Sequence, residues 1–167
     1  AGTAGIGIAF TVGEADTSGT ETEKAVTGVT SESTSTAVKK VFAGASVYAE
    51  FRTDNGFTLG LDYVPMDIEL GAEKRSDSES GASTAGADDS GDRTASADIT
   101  DLYTVYAHVP VGPVYVLLGW HTADIRTTES LPTSKYGNIS VNGLQYGLGI
   151  KNENNRFRAE VAYSDFD

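Results

Sequence analysis

Apolar and polar residues alternate along Phe42–Met66, "FAGASVYAEFRTDNGFTLGLDYVPM". Ala43, Ala45, Val47, Ala49 and Phe51 fall on one side, and Gly44, Ser46, Tyr48, Glu50 and Arg52 on the other. After Thr53-Asp54-Asn55-Gly56 the alternation resumes, with Phe57, Leu59, Leu61 and Tyr63 opposed to Thr58, Gly60 and Asp62. A period of two is the signature of a strand, and a polar cluster ending in Gly closes a hairpin. The same pattern recurs near Ala4–Val12, Leu102–Val109, Val114–Thr122, Leu144–Lys151 and Phe157–Ser164, and no helical period interrupts it. An all-β chain of seven strands is predicted, each with one apolar face and one face of small or polar residues.

The connections alternate too. "TDNG", "PVGP" and "NENNR" are tight turns. The other connections, residues 13–37, 71–98 and 123–140, are long. The second of them is a Ser/Gly/Ala/Asp mixture without periodicity, the composition of disordered segments. Short turns at one end and long loops at the other define a two-ended antiparallel up-and-down barrel, residues 1–167 forming one domain.

Composition narrows the function classes. Twelve Lys plus Arg stand against 24 Asp plus Glu, for a net charge of -12. Nucleic acid as a partner is excluded, since its phosphates need a basic footprint. The chain has no Cys, so no disulfide framework or thiolate chemistry is available. No apolar run reaches the roughly 20 residues of a membrane helix. Strand barrels escape that test because only every second residue meets lipid.

Three features place the apolar face outward, in lipid. The polar face mixes Gly, Ala and Ser with Tyr and opposite charges, as a narrow lumen requires. The long-loop and short-turn ends differ, as they do in outer-membrane barrels. Phe51, Phe57, Tyr103, Trp120, Tyr146, Phe157 and Tyr163 fall near the ends of apolar stripes, as interfacial aromatics do. Glu50, Arg52, Asp62, Lys151, Arg158 and Glu160 then face the interior together with Tyr48, Tyr106, His108, Tyr115 and Gln145. Unpaired interior charge is costly, so Glu50, Asp62 and Glu160 are expected to be partnered by Arg52, Lys151 or Arg158. Bacterial single-chain barrels have an even strand number, eight at the smallest; the count of seven predicts an eighth strand beyond "YSDFD".

The hairpins "VYAEFRTDNGFTLGLDY", "YTVYAHVPVGPVYVLLGW" and "LQYGLGIKNENNRFRAEVAY" resemble the outer membrane protein A-like small barrels of Gram-negative bacteria, in particular those of marine alphaproteobacteria. The resemblance is one of pattern over nearly the whole chain. It implies an eight-stranded transmembrane barrel in the cell outer membrane, with the lipid bilayer as partner. The sequence departs from that family in lacking an eighth strand with a terminal aromatic, and in the acidity of its loops.

Little in the sequence points to chemistry. His108 and His121 are the two histidines, with Ser164, Asp101 and Asp124 as available partners, but no spacing signature joins them. They read as lumen or rim residues satisfied by hydrogen bonds, and no enzyme is expected. Asp88, Asp89 and Asp92 in "ADDSGD" offer oxygen ligands to Ca2+ but lack the helix-loop-helix spacing, and read as a solvated loop. "GIGIAF" is a strand rather than a phosphate loop, and no cofactor or metal is implied. Asn138-Ile139-Ser140 is a chance glycosylation acceptor in a bacterial chain. The functional expectation is a structural surface barrel presenting acidic loops to a surface protein or a phage, not a general porin. The alternatives are a soluble lipocalin-like binder with an apolar calyx, and a surface-filament protein joined through open strand edges.

Overall fold

The computed structural model describes residues 1–22, 33–77, 91–130, 137–152 and 157–167. Its strands are β1 (Gly2–Thr22), β2 (Ser33–Thr53), β3 (Thr58–Val64), β4 (Ile68–Asp77), β5 (Gly91–Val111), β6 (Val114–Ser130), β7 (Ile139–Lys151) and β8 (Arg158–Phe166). All neighbours are antiparallel, in the order β1-β2-β3-β5-β6-β7-β8, with β4 beside β5. The sheet curls into a half-barrel.

Seven sheet positions therefore hold eight strands, because β3 and β4 are two parts of one position. β3 pairs with β5 up to Val64↔Leu102, and β4 takes over from Ile68↔Ile99. Pro65, which has no N–H to give a ladder, falls in the break. Opposite it β5 carries a register shift between Thr100 and Tyr103, where Asp101 adopts φ 51°. The predicted eighth position is not among the described strands, in which β1 and β8 each have one neighbour.

The strands reach far beyond the expected bounds. β1 continues past Val12 to Thr22 and β2 begins at Ser33. β4 and the first part of β5 occupy the described ends of the segment expected to be an aperiodic loop, with Gly71↔Ala97 to Asp77↔Gly91 in register. β6 likewise runs to Ser130 and β7 starts at Ile139. The sequence hides these extensions because the covered side of the ribbon is lined by small or polar residues such as Gly13, Ala15, Thr17, Ala123 and Thr127, so no apolar period shows. Thr and Val still favour extended backbone there, and the ladder supplies the rest. Residues 23–32, 78–90 and 131–136 lie outside the described residues.

At the opposite end the turns are short. Gly56 N donates to Thr53 O at 3.0 Å with Gly56 at φ 86°, and Gly112 at φ 64° closes the β5–β6 turn. Both need a left-handed backbone that glycine adopts without a Cβ clash. Of the "NENNR" turn, residues 153–156 are outside the described set, and Asn152 N donates to Phe157 O at 3.1 Å.

The faces are inverted relative to a dry-core sandwich. Val47, Leu59 and Val105 are 46%, 51% and 54% exposed, and Ile6 and Val161 reach 90% and 81%. The concave side buries Tyr106, Tyr115, Thr58, Thr104, His108 and His121, along with Leu117. The curl is tight enough for Arg158 on β8 to bond Glu50 on β2, although β3, β5, β6 and β7 stand between them in the sheet.

Room inside comes from glycine set opposite aromatic rings. Cross-strand partners include Gly7↔Tyr48, Gly13↔Phe42, Gly60↔Tyr106 and Gly149↔Tyr115. In each pair the ring lies where the glycine's Cβ would stand. The rings thus lie flat on the neighbouring strand, an arrangement that also shields glycine backbone. Gly60→Ala is expected to lower stability by about 1–3 kcal/mol, the cost of overpacking. Gly44→Ala, whose Cβ would meet Ile68 Cδ1 at an ordinary 3.8 Å, should be neutral or slightly stabilising. Urea unfolding of the two variants measures the contrast, and equal effects would refute the ring-on-glycine account.

Candidate functional site: the polar interior

Because side chains two apart share a face, the concave side receives a fixed set from each strand. β2 supplies Ser46, Tyr48, Glu50 and Arg52; β3 supplies Thr58 and Asp62; β5 supplies Thr104, Tyr106 and His108. Tyr115 and His121 come from β6, Lys151 from β7, and Arg158, Glu160 and Ser164 from β8.

Arg158 is the hub. Its Nη1 donates to Glu50 Oε2 at 2.7 Å and its Nε stands 3.3 Å from Glu160 Oε1. Its Nη2 reaches the Tyr106 hydroxyl at 3.4 Å, and the guanidinium stacks 4.0 Å above the Tyr48 ring. One planar cation thus serves two carboxylates and an aromatic face, a combination a Lys ammonium does not reproduce. The Tyr106 hydroxyl also donates to Glu50 at 3.1 Å, and the Tyr115 hydroxyl to Glu160 at 2.6 Å. The Glu50 and Arg158 side chains are 7% and 15% exposed, so solvent screens this pair little.

His108 is packed between Tyr106 and Tyr115, with ring centroids 4.8 Å and 4.2 Å away. Its Nε2 stands 3.3 Å from Glu160 Oε1 but off the line of a hydrogen bond. Lys151 Nζ donates to Thr58 Oγ1 at 3.5 Å and stands 5.2 Å over the Tyr115 ring. Asp62 accepts from the Ser46 hydroxyl at 2.7 Å.

The expected pairing therefore holds for Glu50 and Glu160, which share Arg158. Asp62 takes a hydroxyl instead of a cation, and Lys151 a hydroxyl and a ring instead of a carboxylate. Arg52 stands half-buried at the short-turn end, in register with Thr3 and Thr58. Sequence reading assigned no part to Ser46, Thr58 or Thr104. The only signal they carried was their parity along the strand.

The second cluster lies toward the other end. His121 Nδ1 is 2.7 Å from Thr104 Oγ1, and its Nε2 is 2.9 Å from Ser164 Oγ. Phe166 stacks on the imidazole at 5.2 Å. Asp101 is instead near the Tyr63 hydroxyl, at 3.5 Å, and Asp124 accepts from Ser140 at 2.6 Å. His108 and His121, considered together in the sequence, thus belong to separate clusters.

The extended hairpins carry exposed ion pairs. Lys39 Nζ lies 3.2 Å from Asp16 and 3.4 Å from Glu14, and Lys40 pairs with Glu69. Asp16 and then Glu14 hold the Lys39 ammonium above its ordinary pKa. Of the acidic triplet considered for Ca2+, Asp88 and Asp89 lie outside the described residues, and Asp92 pairs with Ser76 in the β4–β5 ladder. Among the described residues no three His, Asp or Glu side chains are grouped to hold a metal.

Comparison of the chain with protein-family models, with curated proteins and with solved structures gave no significant match.

Arg158→Met leaves Glu50 and Glu160 without their shared cation in a desolvated interior. It is expected to cost about 3–5 kcal/mol, the loss on breaking a buried pair. Lys39→Gln, on the exposed ribbon, should change stability far less, because solvent screens its ion pairs. Chemical unfolding of the two variants checks the ranking, and a small effect at Arg158 would refute its role as hub.

Proposed function

We propose that this chain is an outer-membrane β-barrel protein of a Gram-negative bacterium that anchors polar hairpins at the cell surface. The observation that supports the reading best is the inversion of faces. Ile8, Phe10, Leu61, Leu118, Leu144, Leu148 and Ile150 point outward and are 47% to 81% exposed, whereas the buried concave side is mostly polar. So large a continuous apolar surface is not left to water. Seven to nine residues per strand, at about 3.3 Å each, give roughly 25 Å of apolar strand, similar to the outer-membrane apolar band. Phe51 and Phe157 mark one rim of that belt; Tyr63, Tyr103 and Trp120 approach the other.

A lipocalin-like binder needs an apolar calyx. The charged and tyrosine-filled interior weighs against it, and also against an open pore. The reading further requires that the β1 and β8 edges be covered, because hydrocarbon does not satisfy open edges. After six antiparallel steps β1 and β8 run parallel to one another. One strand antiparallel to both closes the seam with the even number typical of such barrels. Beyond the belt β1–β2 and β4–β5–β6 continue as acidic ribbons, which suit contact with a surface protein or a phage rather than with nucleic acid. This is the disposition of the outer membrane protein A-like small barrels that the hairpins resemble.

Trp120 is the single tryptophan and lies on the convex face, 47% exposed. In vesicles of lipids brominated on the acyl chains its emission is expected to shift to the blue and be strongly quenched. Emission like that of a water-exposed indole, without quenching, would overturn membrane residence. Leu148→Arg gives an independent check. In lipid it should cost about 2–4 kcal/mol near the midplane, whereas at a water-exposed site it should change stability by less than about 0.5 kcal/mol.

A further inference from the structure

We propose that Ser164 is an acyl-accepting nucleophile activated by His121, and that the outer part of the interior hydrolyses carboxylic esters. The sequence gives no spacing motif for this pair, because the residues stand on β6 and β8 with β7 between. The register brings them together. His121 is opposite Gly143, and Gly143 is opposite Phe166. Gly143 leaves room on β7 for the Phe166 ring, and the imidazole, stacked on that ring, meets Ser164 at 2.9 Å.

Three features match what a hydroxyl nucleophile needs. The base is within hydrogen-bond reach of the hydroxyl, and a third group orients it, here Thr104 Oγ1 at 2.7 Å from Nδ1. In the tautomer with the proton on Nδ1, that proton is donated to Thr104 and Nε2 is free to accept from Ser164. Phe166, stacked at 19° to the ring, fixes its plane. The base itself is 5% exposed, while Ser164 is only half-buried and remains approachable. Gly119 is covered by Gln145 and Thr104, and Gly143 by the Phe166 ring, so the approach to Ser164 is from its own half-exposed side.

The step balances without a cofactor. Ser164 Oγ attacks the ester carbonyl carbon as its proton passes to His121 Nε2. The C–O bond to the alcohol breaks, and the departing alkoxide takes that proton. Water, deprotonated by the same nitrogen, then attacks the acyl-serine and releases the acid, restoring the hydroxyl. The interior is narrow, so the substrate is an ester with a short acyl group entering from the hairpin end. Thr104 acts as a positioning residue.

The full chain, folded in detergent micelles, is treated with a fluorophosphonate probe and the adduct is located by peptide mass spectrometry. An adduct on Ser164 is expected; no adduct, or one confined to other residues, would overturn the proposal without the need for any variant. Hydrolysis of p-nitrophenyl butyrate should fall on the order of 10³-fold in Ser164→Ala and in His121→Asn. Equal turnover by Ser164→Ala would also overturn it. Thr104→Val should lower the labelling rate and Thr104→Ser should restore it, a pattern that a merely structural hydroxyl would not produce. These readouts do not depend on whether lipid covers the convex face.

Discussion

The curl of this sheet is tied to one guanidinium. Arg158 projects from one edge strand and binds Glu50 on the strand next to the other edge, crossing the whole concave space. Desolvating an arginine and two glutamates is unfavourable unless each finds partners. Here the cost is offset by two charge-assisted contacts and by the faces of Tyr48 and Tyr106. The network is therefore satisfied only when the sheet is curled far enough to bring β8 to β2. A flatter sheet would leave Glu50 and Arg158 apart and their charges poorly compensated.

That closeness has a geometric consequence for the strands between. A lumen crossed by one arginine has no room for a large residue at every inward position. Glycines on one strand face tyrosines on the next, so Tyr106 and Tyr115 lie across Gly60 and Gly149 and fill the section without pushing the walls apart. The hydroxyls at the ends of those rings then become ligands of the carboxylates held by Arg158. Packing and charge compensation are thus performed by the same side chains, and His121 forms a separate cluster with Thr104, Ser164 and Phe166.

The outward apolar belt and the polar ribbons divide the molecule along the strand axis. Within the belt each strand alternates sharply, because its two faces meet different surroundings. Beyond it one side stays partly covered, with Ile68, Thr100 and Ala123 buried, and the ribbon is held by backbone ladders and by exposed ion pairs such as Lys39 with Asp16 and Glu14. The break at Pro65 and the irregularity at Thr100–Tyr103 lie where the β3 position passes from one regime to the other. The ribbons can change in sequence without altering the belt or the network inside it.

The sequence by itself determined the strands of the belt, their antiparallel order and which residues face inward, because a period of two survives wherever two unlike media lie on the two sides of a sheet. It was silent on the ribbons beyond Val12, Leu70 and Thr122, where small and polar residues on both faces hide the period. It also foresaw that Glu50 and Glu160 need a cation, though not that Arg158 would serve both while Asp62 took Ser46. Only the tertiary structure decided those partnerships, and only it joined His121 to Ser164. Parity tells which side of the sheet a side chain occupies. Which residue it touches there depends on curl and register, and these are set by contacts among residues as much as 108 positions apart in the chain.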